Sequence, residues 1–419
     1  MRIAVLGAGL AGVTSAYRLA RDGHEVVVVD RGEGAANFTS FANAGLVAPG
    51  HAYAWSSPRA PGMLLRSLWR NDQALRFRPA LDPALWRWTL KFLAQCTSER
   101  ARINTTTKVR LCRYAQDCLK AVVAETGVGY EGRDGGLLYL YRKESSFEAA
   151  VAKMSVLTDE GIELQALDPA AVAALDPALA PVSGNLAGAL YAPGDESGDA
   201  RRFTLGLAEV CAGLGVQFRW GETVRRLAVE GDSVARVVTD RGELQAEAYV
   251  LALGVYSPHL TRDLGLDLPI YPVKGYSVTI PTDPGGTAPR IGGVDEDNLV
   301  AYCPLDGRLR ITATAEFAGY DTSHRPEDFA AMLRLARELF PEAGDYEQPD
   351  FWACLRPMTP TGIPILGRSR QRNLFLNTGH GHMGWTMACG TAEIVADAIA
   401  GRRPAIDTEG MTLPGLPLA

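Results

Sequence analysis

The chain has 419 residues, 47% of them hydrophobic and 21% charged, with a formal net charge of −6. That length exceeds one ordinary core, so two domains are expected, and the acidic balance argues against nucleic acid as a general partner. No run approaches the ~20 uncharged apolar residues of a membrane-spanning helix, and seven scattered cysteines without a CxxC pair argue for reduced thiols and against a metal site.

The chain opens on an apolar run, Met1 to Leu6, of strand length, followed at once by Gly7-Ala8-Gly9-Leu10-Ala11-Gly12. A helical stretch runs on to Asp22-Gly23, and a second apolar strand, Val26 to Val29, ends on Asp30 and Arg31. In this frame Gly7 permits the turn out of the strand, Gly9 lets backbone approach a pyrophosphate, and Gly12 lets the helix pack on the sheet. The helix N-terminus offers N–H groups to phosphate, and Asp30 is placed to take the ribose hydroxyls. A dinucleotide site is expected here. Because the first strand starts at the N-terminus, no cleavable signal peptide is expected, and the location expected is cytoplasmic.

Gly32 to Gly50 is rich in small residues, among them Ser40, Asn43, Ala44 and Gly45, which suits backbone lying against a flat ligand. From about Pro61 to Gly127 the pattern reads as several helices, with Pro83 in the first turn of one. Between Arg59 and Arg113 there are twelve basic and three acidic side chains, a local balance of +9, with Trp55, Trp69, Trp86 and Trp88 in or beside the stretch. That composition fits a peripheral contact with the inner face of the cell membrane. It equally fits a helical subdomain with core aromatics and solvated arginines.

Gly135 to Tyr141 reads as a strand and Ser146 to Gly161 as one helix. Arg201 to Leu214 is an amphipathic helix, Val216 to Trp220 a strand, Val224 to Val229 with Ala235 to Thr239 a hairpin, and Ala246 to Leu253 an apolar strand closing on Gly254. Further strands are expected at 268–281, 299–302 and 309–314, and a helix at 326–339. Asn373 to Ala400 repeats the opening logic as strand, glycine loop and helix, through Gly381, His382, Met383, Gly384 and Trp385. Two such turns suit FAD, with one at the pyrophosphate and the other at the isoalloxazine ring, where a helix N-terminus stabilises negative charge. The expected architecture is α/β: a Rossmann-like FAD-binding domain in three pieces (1–50, 198–268 and 355–419) interleaved with an α+β substrate domain (51–197 and 269–354). GxSxG is absent, and no cysteine sits in a nucleophile-like frame.

Six blocks in order carry a family resemblance: GAGLAG, TSFANAGLVAPG (39–50), DESGDARRFT (195–204), YPVKGYSVTIP (271–281), LRPMTPTGIPILG (355–367) and NTGHGHMGWTMACG (377–390). Over nearly its whole length the chain resembles the FAD-dependent D-amino acid dehydrogenase (small subunit) family, within the group that includes D-amino acid oxidase, glycine oxidase and sarcosine oxidase. The expected fold is therefore D-amino acid oxidase-like. The resemblance implies non-covalent FAD, oxidation of D-amino acids to 2-oxo acids and ammonia by hydride transfer from Cα to flavin N5, and electron delivery to a respiratory acceptor such as a quinone.

By the same resemblance Arg356 clamps the substrate carboxylate, as its permanent charge and forked donors suit, and Tyr302 supplies a hydroxyl contact, with Tyr276 and Tyr271 as weaker candidates. Gly7, Gly9, Gly12, Asp30 and Arg31 are assigned to the cofactor; Ser40, Asn43, Ala44 and Gly45 lie near the flavin. Val224 and Gly254 contribute backbone on the nucleotide side, and the 381–385 loop meets the isoalloxazine. Lys274 is expected at the surface. The chain departs from the family at Thr361, where an acid is common. Cys354 falls where sarcosine oxidases tether the flavin, which leaves covalent attachment open. A glycine, sarcosine or D-hydroxyproline-type amine oxidoreductase on the same scaffold is the alternative activity, and a nucleotide-binding protein without turnover is the non-enzymatic one.

Overall fold

The computed structural model describes residues 1–67, 75–283 and 285–419, so Trp69 of the basic stretch lies outside the described residues. Two sheets organise the chain. The first has six strands in the order Ile365–Arg368, Leu374–Thr378, Ala248–Leu251, Arg2–Leu6, Glu25–Val29 and Gln217–Arg219. Its pairings are parallel except for the antiparallel edge strand at 365–368. Ile3 to Leu6 and Val26 to Val29 are buried on both faces, which is why these strands are unbroken apolar runs instead of alternating ones.

The first strand ends in Gly7, whose φ of +108° only glycine adopts without strain. Helix Leu10–Arg21 follows. A Cβ on Gly12 would overlap the Gly7 carbonyl oxygen, so a side chain there would push the helix off the turn. The C-terminal helix, Gly384–Ile399, lies directly against this first helix: Thr14 Oγ1 donates to the Ala388 carbonyl at 3.2 Å, and Asn377 Nδ2 donates to Ser15 Oγ at 2.8 Å. Polar contacts between segments more than 360 residues apart in sequence thus bring the two glycine turns side by side.

The second sheet runs Asp350–Met358, Tyr271–Pro281, Arg308–Phe317, Val300–Leu305, Gly292–Asp295, Leu137–Tyr141, Gly188–Ala192 and Gln165–Leu167, with Leu75–Phe77 pairing on 308–317. Its far face packs on helix Ala330–Leu339 through Tyr276, Val278, Tyr302, Ile311 and Phe329. The 29-residue helix Ser98–Thr126 begins at Thr97, whose hydroxyl accepts from Arg100 N–H, and stops at the left-handed Gly127. It crosses the C-terminal helix closely, because Gly390 leaves no side chain against Ala115.

Three local expectations are corrected. The helix read over 146–161 breaks into Glu144–Val151 and Ser155–Thr158, since Lys153 and Met154 donate to carbonyls three residues back and tighten the chain into a turn. A further strand, Asp350–Met358, for which no element was expected, carries Arg356. Lys274, expected at the surface, is only 3% exposed. Its ammonium donates to the Ser323 carbonyl and faces Asp321 at 3.6 Å, so charge pairing replaces solvent.

Candidate active site

A single cavity of about 830 Å³ runs between the two sheets from the first glycine turn to Arg356. At its nucleotide end lie Gly7, Gly9, Asp30, Arg31, Val224 and Gly254. Asp30 accepts from Ala8 N–H at 2.6 Å and from Gly32 N–H at 2.7 Å, and so pins the turn. The Arg31 guanidinium lies over the rings of Phe38 and Tyr256, 4.3 and 4.1 Å from their centroids. Ser40 Oγ accepts from Leu10 N–H at 3.1 Å, at the start of the first helix.

Ser40, Asn43 and Ala44 line the middle of the cavity. Gly12 and Gly45 do not. Gly12 acts behind the turn, and Gly45 is held at φ +71° against Cys303 and the Gly198 carbonyl. Both are packing positions. From the other side come Gly381, His382, Met383, Gly384 and Trp385. Helix Gly384–Ile399 starts here without a side-chain cap, so its first N–H groups and positive dipole end face the cavity.

The residues present fit FAD. Asn377 Oδ1, His382 Nε2, Trp352 Nε1 and Trp385 Nε1 are buried without a partner, and all four side chains line this one cavity. Each such group costs on the order of 1–3 kcal/mol unless something satisfies it, so their clustering calls for a polar, planar ligand. The His382 ring stacks on Trp55 at 4.5 Å. Burial, then the charges of Lys108, His51 and Arg356, hold it well below the ordinary histidine range, hence neutral. Burial likewise takes His380 down to about 4, and its Nε2 meets Thr391 Oγ1 at 3.0 Å.

At the opposite end Arg356 reaches across the neighbouring strand. Val273 is its register partner, and its guanidinium lies over Gly275. Nη1 donates to the Thr314 carbonyl at 2.9 Å. Thr314 is the extra residue of a bulge opposite Gly275 and Tyr276, and its φ is +63°, a strained value for a β-branched residue. The bulge turns that carbonyl toward the arginine. No carboxylate pairs with Arg356 among the described residues. Burial lowers its pKa to about 10, which still leaves it charged at neutral pH. A desolvated, unpaired guanidinium facing a cavity is a receptor for an anion. Trp88, Phe92 and Phe317 make the surrounding wall apolar.

Tyr302, expected to touch substrate, is corrected. It is 1% exposed, packs on Phe340 beneath the sheet and does not line the cavity. Strand alternation sends Ala301 to the cavity and its neighbour to the core. Tyr276 lines the cavity, but its hydroxyl donates to Glu316; Tyr271 donates to Asp82 Oδ2 at 3.0 Å. Cys354 lines the cavity with its thiol 3.4 Å from Thr39 Oγ1, and burial raises its pKa. Thr361 Oγ1 accepts from Ile363 N–H at 3.2 Å and so closes its turn locally. Sequence reasoning missed His51, Trp55, Lys108 and Trp352, because a lone histidine, lysine or tryptophan carries no spacing signal.

The DAO family, described as FAD dependent oxidoreductase, matches residues 2–398. D-amino acid dehydrogenase 2 of Mesorhizobium japonicum is 45% identical over 416 residues, 99% of this chain and 100% of that protein. D-amino acid dehydrogenase of Paramagnetospirillum magneticum is 47% identical over 412 residues, 98% of each. Among solved structures, glycine oxidase from Geobacillus kaustophilus superposes with a TM-score of 0.76 at 24% identity over 99% of both chains. L-proline dehydrogenase from P. horikoshii gives 0.74 at 17%, over 98% of this chain and 96% of that one. At such identities these two structures speak for the fold alone. With paired glycine turns around one cavity and a family match across almost its whole length, the chain belongs to the DAO family of FAD-dependent oxidoreductases.

Proposed function

We propose that the protein is a dehydrogenase of D-amino acids that passes its electrons to an acceptor such as a quinone. The observation that carries this reading is Arg356, charged, half-buried and without a carboxylate partner among the described residues, in the same cavity as both glycine turns. The relatives named D-amino acid dehydrogenase, similar over almost the whole chain, support it.

The chemistry FAD supplies when bound is two-electron oxidation of the Cα–N bond, giving an imine that water hydrolyses to a 2-oxo acid and ammonia. The chain's residues prepare that step. Arg356 takes the substrate carboxylate through two N–H donors, while the Thr314 carbonyl fixes the fork from behind. Trp88, Phe92 and Phe317 exclude water, which strengthens the ion pair. Neutral His382 and the uncapped start of the 384–399 helix form the opposite wall, where a growing negative charge is stabilised.

The membrane reading rests on a separate surface. Met63, Leu65, Leu81, Trp86, Leu90 and Ile103 are exposed apolar residues. Arg59, Arg66, Arg87, Arg100 and Arg102 are exposed among them. No helix among the described residues is long and apolar enough to cross a membrane. Basic and apolar residues exposed together in this stretch of the chain support a peripheral contact with an anionic bilayer, close to where a lipophilic acceptor resides.

An anaerobic panel of amino acids read by flavin absorbance tests the activity. Bleaching by D-amino acids and not by their L-enantiomers is expected. Bleaching by sarcosine or glycine alone would shift the assignment to the amine oxidoreductases of the same fold.

A further inference from the structure

Arg356 and His51 both line the cavity. Strand register sets Tyr139, Val294, Ala301 and Thr312 side by side across neighbouring strands. The His51 ring stacks on Tyr139 with centroids 5.1 Å apart, while Arg356 bonds the carbonyl of Thr314, one pleat beyond Thr312. Three strand spacings, roughly 14 Å, separate Tyr139 beneath His51 from Thr312, and the step along the strand to Thr314 sets the guanidinium somewhat farther off.

That span decides what His51 can touch. A substrate held by its carboxylate keeps its amine within roughly 6 Å of the guanidinium, which is out of reach of His51. A side chain four bonds long extends roughly 5 Å further, and one hydrogen bond of about 3 Å brings its end to the His51 side of the floor. His51 therefore faces the end of the side chain and not the reacting carbon. Val294 and Ala301 pave the floor between.

The imidazole is prepared for this contact. Its Nε2 lies 2.7 Å from Glu296 Oε1, and Glu296 stays outside the cavity lining. The contact engages Nε2, and Nδ1 has no hydrogen-bond partner among the described residues. Burial disfavours the charged ring, but the Glu296 carboxylate beside it outweighs that cost, so the imidazole holds its proton above the ordinary histidine range. Lys108 on the long helix and Asp195, which accepts from the Tyr139 hydroxyl, are the other charged groups acting on the ring, and neither lines the cavity.

We propose that His51, ion-paired with Glu296, recognises the terminal side-chain oxygen of the substrate, so that the preferred D-amino acids end in a carboxamide or carboxylate, as D-glutamine and D-glutamate do. This inference rests on the D-amino acid reading above.

The test is the ratio of kcat/KM for D-glutamine over D-norleucine, an apolar side chain of similar length. The wild-type ratio exceeds one. His51→Leu lowers it about tenfold or more, as expected for losing a hydrogen bond to a charged donor; His51→Asn, which keeps an N–H donor, restores part of it, and Glu296→Gln gives a smaller fall. Flavin absorbance and thermal melting confirm that each variant is folded, and Glu296→Gln carries the test if a His51 variant is not. A wild-type preference for D-norleucine, or ratios within threefold of wild type in both His51→Leu and Glu296→Gln, overturns the inference and leaves D-amino acid oxidation intact. A wild-type enzyme that turns over neither these substrates nor D-alanine removes the underlying reading instead.

Discussion

Gly275 exists without a side chain because Arg356 lies across it. A Cβ built on Gly275 would come 2.6 Å from Nη1 of the arginine, and nearer still to the guanidinium carbon. The two residues sit on paired strands, and only the bare backbone of one lets the other reach the bulged Thr314 carbonyl.

Gly275→Ala should therefore disable the carboxylate receptor without touching its charge. The methyl group forces the guanidinium to swing away, and the Nη1 bond to Thr314 breaks. We expect KM for D-amino acids to rise about tenfold or more, the equivalent of one charge-assisted hydrogen bond, with flavin content near wild type. Steady-state kinetics beside the flavin spectrum measure both. An unaltered KM would show that the arginine is not held in place by the bare glycine.

Arg356→Met separates stability from binding. In the substrate-free protein the guanidinium is desolvated and lacks a carboxylate partner among the described residues, so replacing it by an apolar chain relieves a cost. The melting temperature should hold or rise while KM increases by about a hundredfold, roughly 3 kcal/mol. Joint loss of stability and affinity would assign the arginine a structural role instead.

Lys108 provides the pH-dependent prediction. It is fully buried, its ammonium donates to the Tyr53 carbonyl at 2.8 Å, and burial lowers its pKa from 10.5 to about 8. Between those values the unfolded chain binds a proton that the folded chain does not, so this residue makes stability rise with pH across that window. Below pH 8 the full cost of the buried charge is present. Lys108→Met should accordingly be more stable than wild type at pH 7, by about 1–3 kcal/mol after the lost hydrogen bond is counted. The gap should narrow from pH 8 to 10. Denaturant titrations at several pH values measure it, and a gap that does not change with pH would mean the buried lysine keeps the pKa it has in the unfolded chain.

Binding to lipid vesicles tests the mixed basic and apolar stretch. Vesicles containing anionic lipid should retain the protein at low ionic strength, and about 0.5 M salt should release most of it, because exposed charges are screened within a few ångströms there. Replacing Arg66, Arg87 and Arg100 by Gln together should weaken retention, whereas Trp86→Ala should weaken it less salt-dependently. Equal partitioning with neutral and anionic vesicles would discard the contact.

Much of the nucleotide half was legible from residue order alone. GxGxxG between two apolar strands is a local pattern, and each glycine answers a local steric demand: Gly7 a positive φ, Gly12 contact with the preceding turn. The C-terminal turn was readable for the same reason. The wall opposite was not. Strand Asp350–Met358 has too few alternating apolar residues to announce itself, and its conformation is fixed by pairing with residues about eighty positions earlier. Whether Tyr302 or Ala301 meets the ligand depends on which face of the strand the helix at 330–339 covers, and a shift of one residue reverses that choice.

Residue order by itself announced the two glycine turns of a dinucleotide site, because turns and helix starts are properties of short segments, while the role expected of Arg356 came from family resemblance. Tertiary structure alone decided that Arg356 would lie over Gly275 with no carboxylate partner among the described residues, that Lys108 would be buried, and that His51 would meet Glu296. Those outcomes depend on strands and helices far apart in the chain being pressed together, and burial, not spacing, sets the charge each group carries.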